Sequence, residues 1–137
     1  MTTSGAITAA QVFAGFTRPR KRSASPEEQQ ALLSATRHEI DHEGRTLVVW
    51  SWGRGKPVLL LHGWESRASH MAAFVPALLQ AGYQPIAFDG PAHGESEGEV
   101  SDVLEFGRAA VKVAEHFAHL SAVIAHSMGS AAALYAF

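Results

Sequence analysis

The chain has 137 residues, a net charge of −2, 47% hydrophobic and 18% charged residues, and no cysteine. These values describe one globular domain, or part of one, with enough apolar content to build a core. They exclude disulfides, thiolate metal sites and a cysteine nucleophile, and the near balance of charge argues against a nucleic-acid binder. No run is long and apolar enough to span a membrane. Residues 6–16 are moderately apolar, but their basic residues follow them, unlike those of a secretion signal. A cytoplasmic location is expected.

In chain order, residues 1–35 are expected to form an N-terminal extension with a short helix. Its basic run, Arg18-Pro-Arg-Lys-Arg22, reads as a solvated surface segment rather than a partner-binding patch. Ser25-Pro26-Glu27-Glu28 starts a helix: a capping serine, a proline in the first turn, then acids at the positive end. That helix is predicted to run to about Ala35. Arg37–Ile40 and Arg45–Ser51 are predicted strands of a hairpin that turns at Asp41-His-Glu-Gly44. Gly53-Arg-Gly-Lys56 lacks the spacing of a phosphate loop and precedes a strand where such a loop follows one.

Pro57–Leu61 is a continuous apolar run, as a strand buried on both faces requires, and it ends at His62-Gly63-Trp64. Met71, Phe74 and Leu78 follow at helical spacing, with Pro76 breaking the helix. Tyr83–Phe88 is the next predicted strand, ending at Asp89-Gly-Pro-Ala-His93-Gly94-Glu-Ser96. Ser101 and Asp102 open a helix whose stripe is Val103, Phe106, Ala110, Val113 and Phe117. Ser121–His126 is a last strand, and a helix begins at Met128.

Strands alternating with helices predict an α/β domain: a mostly parallel sheet flanked by helices. Reactive groups of such sheets lie at the carboxyl ends of the strands. His62-Gly63-Trp64, the Asp89–Ser96 loop and Ser127 all fall at such ends. Ser127 sits between a strand and a helix, with the small residues Ala125 and Gly129 two positions to either side. A turn that tight has no room for larger side chains there, and it pushes the hydroxyl outward. The Met128 amide faces the same space at the helix start, where donors are unpaired. The competing assignment for Ser127 is an ordinary helix N-cap.

Ala125-His-Ser-Met-Gly129 resembles the nucleophile elbow of the α/β-hydrolase family, with Ala125 in place of the first glycine. His62-Gly63-Trp64 resembles that family's His-Gly turn. Asp89–Ser96 resembles its D-x-x-G-H-G-x-S loop, with Ala92 replacing the inner glycine. The resemblance covers residues 36–137. It implies Ser127 as nucleophile and the backbone amides of Trp64 and Met128 as the oxyanion hole. His62, Gly63, Asp89, His93, Gly94, Ala125 and Gly129 would then shape and brace the loops. The implied substrate is a small ester-like molecule, cleaved through an acyl-serine intermediate; thioesters and amides use the same groups.

No cofactor is implied. His62, His93 and His126 lie near one sheet edge but lack ligand spacing, so a zinc site is set aside. The triad order of this fold is Ser, then acid, then His. Residues 128–137 contain neither an acid nor a histidine. Residues 36–137 are therefore read as the amino-terminal half of a hydrolase domain, truncated after the elbow helix and inactive alone. The alternatives are an acyltransferase of the same fold and a non-catalytic binding module. Nothing in the sequence indicates an oligomeric state.

Overall fold

A computed structural model describes residues 5–137. Two short helices, α1 (Ala9–Thr17) and α2 (Pro26–Leu32), precede a hairpin of β1 (Thr36–His42) and β2 (Arg45–Ser51). Then come β3 (Lys56–Leu61), a 3-10 turn (Ala68–Phe74), α3 (Val75–Gln80), β4 (Tyr83–Phe88), α4 (Val103–Phe117), β5 (Ala122–Ala125) and α5 (Met128–Ala136). Sheet order is β1-β2-β4-β3-β5. β3 is parallel to both β4 and β5, whereas β2 is antiparallel to β1 and β4. Four of the five strands thus point one way, and β2 alone is reversed.

The hairpin register pairs His42 with Arg45, leaving Glu43 and Gly44 as a two-residue turn at φ 55° and 75°. That is the left-handed pair whose twist suits a tight hairpin. Pairing starts at Thr36 opposite Ser51. α2 stops at Leu32, short of the predicted Ala35, because residues 33–35 turn the chain into the ladder, with Ala35 N–H donating to Leu32 O at 3.0 Å. Ser25 caps α2 as expected, with Glu28 completing the reciprocal capping box.

β3 shows why its sequence is apolar without alternation. Leu59 and Leu61 pack toward α4 and α5 with Phe88, Phe106, Val113 and Ala132. Val58 and Leu60 pack on the opposite face with Trp50, Trp52, Met71 and Val75. Burial on both faces removes the period-two signal. The break at Pro76 is real, but the segment before it is a 3-10 helix and α3 begins at Val75, with proline in its first turn. No helix among the described residues is long and apolar enough to cross a membrane.

Candidate active site

β3, β4 and β5 run in parallel, so their carboxyl ends share one edge of the sheet. β5 ends at Ala125, and Ser127 follows at φ 54°, ψ −124° before α5 starts at Met128. This backbone conformation is sparsely populated for any residue with a side chain and costs of order 1–3 kcal/mol. Ser127 makes no side-chain capping bond to α5. The strain therefore does not serve an N-cap; it holds an exposed hydroxyl at a sharp strand-to-helix turn.

The turn is tight because α5 begins directly on β3. A Cβ on Gly129 would stand 2.5 Å from the His62 carbonyl oxygen and 2.8 Å from that of Leu61. Both are backbone atoms that cannot yield. Ala125, on the other side, is half-buried against the core and borders a cleft of about 290 Å³. Gly63 closes the arrangement from β3: a Cβ there would lie 3.1 Å from Ser127 Cβ and 3.3 Å from His126 Nδ1. The His62–Trp64 turn is thus pressed against the serine. Neither the Trp64 nor the Met128 N–H has a hydrogen-bond partner among the described residues. Both amides are free to receive an oxygen atom.

The remaining predicted residues form a brace. His62 is fully buried; Nδ1–H donates to Gly63 O (2.7 Å) and Nε2 accepts from Gly90 N–H (2.9 Å). Burial pushes its pKa down to about 3, so it is neutral at physiological pH and both nitrogens are committed. His93 is also buried, with Nδ1–H donating to Pro91 O at 2.9 Å, and burial lowers its pKa too. Its Nε2 has no partner among the described residues. Asp89 accepts N–H bonds from Ala68 and Glu95, each at 2.7 Å, and thereby ties the loop after β3 to its own loop. Burial raises its pKa to about 6, against the pull of those two amides. Gly94, at φ 50°, leaves the space that the Asp89 carboxylate fills. Ala92 is at φ 63°, a conformation glycine adopts freely and alanine does not.

The His62 and His93 rings lie 5.1 Å apart in the brace, but His126 does not join them. His126 is exposed beside Ser66 and His70 in the cleft, and no group of three or more potential ligands among the described residues could hold a metal. The structure also places residues that the sequence reading did not single out. Ser66 Oγ is 2.6 Å from His70 Nδ1, and His70 Nε2 is 2.5 Å from Glu28 Oε1. Ser66 and His70 are four apart in sequence, a spacing that could have flagged the pair; Glu28 carries no such signal. The basic run is not simply solvated: Arg18 pairs with Glu99, Arg20 with Glu65 and Arg22 with Glu28. The run lies on the surface, as expected, with Arg18, Arg20 and Arg22 exposed and engaged in ion pairs there.

The model of the Alpha/beta hydrolase family matches residues 58–137. Among curated proteins, the chain is similar to the non-heme chloroperoxidase CPO-A1 of Kitasatospora aureofaciens, at 32% identity over 91 residues. It is also similar to a non-heme haloperoxidase of Rhodococcus erythropolis, at 30% identity over 90 residues. Each match covers 64% of this chain and 33% of the relative, so the chain spans about a third of the length of these curated relatives. Among solved structures, the esterase Pf2001 of Pyrococcus furiosus superposes with a TM-score of 0.68 at 26% identity, covering 85% of this chain and 51% of that one. The epoxide hydrolase VrEH1 from Vigna radiata gives a TM-score of 0.69 at 21% identity, covering 77% of this chain and 36% of that one; this second likeness concerns the fold.

Proposed function

The chain belongs to the alpha/beta hydrolase family, and we propose that it carries the nucleophile and oxyanion hole of a serine hydrolase acting on a small ester, thioester or amide. The observation that carries this reading is Ser127: strained at φ 54°, exposed, free of any capping bond, and set against Gly63. Strain that no local bond explains is the mark of a positioned nucleophile.

In this reading Ser127 Oγ attacks the acyl carbon, and its proton passes to a histidine base. The carbonyl oxygen becomes an oxyanion and takes hydrogen bonds from the Trp64 and Met128 amides. The tetrahedral centre collapses, the leaving group departs with the proton, and water then releases the acyl group by the same steps. His62 is unsuited as the base, because its ring is buried with both nitrogens engaged. His93 is buried as well. The fold's chain order puts acid and base after the nucleophile, so we propose that both come from sequence following residue 137.

The test is a fluorophosphonate probe applied to the full-length protein, together with hydrolysis of p-nitrophenyl acetate. Labelling is expected at Ser127, and Ser127→Ala is expected to lower turnover by at least about 10³-fold. Labelling or turnover that survives this substitution would sink the assignment.

A further inference from the structure

The segment from Arg20 to Glu28 is bonded to the loop that follows β3. Arg20 donates its backbone N–H and its guanidinium to the Glu65 carboxylate, at 2.6 to 3.0 Å. Arg67 donates to the Arg22 carbonyl at 3.4 Å, and the Arg22 guanidinium pairs with Glu28 at 2.8 and 2.5 Å. Glu28 in turn accepts from His70 Nε2–H, and His70 Nδ1 accepts from the Ser66 hydroxyl. Glu65 and Ser66 are the two residues directly after Trp64. Where Arg20 meets Glu65, a polar cavity of about 10 Å³ is bordered by Arg20, Glu65, Arg67 and His93. That is room for about one water molecule.

We propose that residues 20–28 are a positioning strap for the turn that presents the Trp64 amide. Arg20 acts through Glu65, and Glu28 acts through His70 and Ser66. This rests on the reading of Trp64 as an oxyanion donor. Glu65 is held at φ 53°, a left-handed conformation that is unfavourable for a residue with a side chain and that its surroundings must maintain. The Arg20 clamp supplies part of that restraint. The Arg20 side chain is 88% exposed, and an exposed ion pair contributes little to global stability. Its leverage is local. An oxyanion donor must point at the developing charge, and small misplacements of such groups cost large factors in rate. The family match begins at residue 58, so the strap lies outside the matched segment.

The experiment uses the full-length protein with Arg20→Ala, Arg20→Lys, Glu65→Ala and the Arg20→Ala/Glu65→Ala pair. Turnover of p-nitrophenyl acetate is normalised to the Ser127 sites titrated by fluorophosphonate. Each alanine variant is expected to lower kcat about tenfold with KM unchanged. The pair is expected to lower it no further than either single change, and Arg20→Lys to recover part of the loss. A normalised kcat unchanged in both alanine variants would overturn the strap and leave a Ser127-dependent hydrolase standing. A lowered Tm with normalised kcat unchanged would overturn it too, since the contact would then be merely structural. Activity that persists in Ser127→Ala would remove the oxyanion reading and the strap together.

Discussion

At Asp89, burial and hydrogen bonding pull in opposite directions, and the pH dependence of stability shows which prevails. The carboxylate is fully buried, which raises its pKa to about 6 from an ordinary 3.8, while two amide donors favour the charged form. Above pH 6 the group is ionised in both folded and unfolded states. Between pH 6 and 3.8 the folded chain holds a proton that the unfolded chain has released. This residue therefore makes the fold more stable as the pH falls through that window. Glu65 acts in the opposite sense: its bonds to Arg20 hold it down at about 2 from 4.5, so its contribution is present above pH 4.5 and lost as the pH falls toward 2. The Asp89 effect is isolated by comparison with Asp89→Asn, whose amide nitrogen must face a backbone N–H. That variant is expected to lose about 1–3 kcal/mol at pH 7, with a deficit larger at pH 4.5. A deficit that shrinks on acidification would show that the two amides outweigh burial. Ala92 offers a second measurement at this scale. Replacing it with glycine relieves roughly 1–2 kcal/mol of left-handed strain but removes a buried methyl worth about 0.8 kcal/mol. Ala92→Gly should therefore be neutral to slightly stabilising in chemical denaturation, and a loss above about 1 kcal/mol would contradict the strain argument.

At the scale of elements, the junctions were harder to read than the strands and helices themselves. β3, β4 and α4 have sharp local signatures: a continuous apolar run, a short apolar stretch Ile86–Phe88 after Pro85, and a stripe stepping by three and four behind the Asp102 cap. The strand-to-helix turn at Ser127 was legible because a tight turn demands small neighbours. What those neighbours touch was not legible, since Gly129 meets carbonyls more than sixty residues earlier in the chain. The same holds for the Arg20–Glu65 and Glu28–His70 bonds, which join segments roughly forty residues apart and leave no periodic trace. The break at Pro76 was legible, but the 3-10 form of the segment before it was not, because apolar spacing alone does not separate the two helical forms. The junction gives its own prediction. Gly129→Ala must push α5 off β3, because the added carbon meets two backbone oxygens rather than a movable side chain. A loss of about 1–3 kcal/mol and of most Ser127 labelling is expected. A variant with unchanged Tm and labelling rate would mean that α5 does not sit on β3 as described.

At the scale of the whole molecule, the two edges of the sheet are unlike. β1 carries Arg37, Glu39 and Asp41, the charged residues that keep an edge from pairing with another chain. β5 reads Ala-Val-Ile-Ala, pairs along one side with β3 alone, and offers no charge, proline or bulge on the other. Beside it α5 leaves Leu134, Tyr135 and Phe137 exposed at 87, 53 and 60%. Apolar side chains next to unpaired N–H and C=O groups form a template for further strand pairing. Residues 1–137 expressed by themselves are therefore expected to self-associate through β5 at tens of micromolar. Ala122 is exposed on that strand, so Ala122→Lys adds an edge charge without entering the core and should shift the mixture toward monomer. Sedimentation velocity with thermal unfolding tests both expectations. A monodisperse monomer with a cooperative transition in the unmodified sequence would show that this edge is harmless. Association unaffected by Ala122→Lys would instead place the sticky surface elsewhere, on α5 or on the exposed apolar side chains Val12, Phe13 and Phe16 of α1.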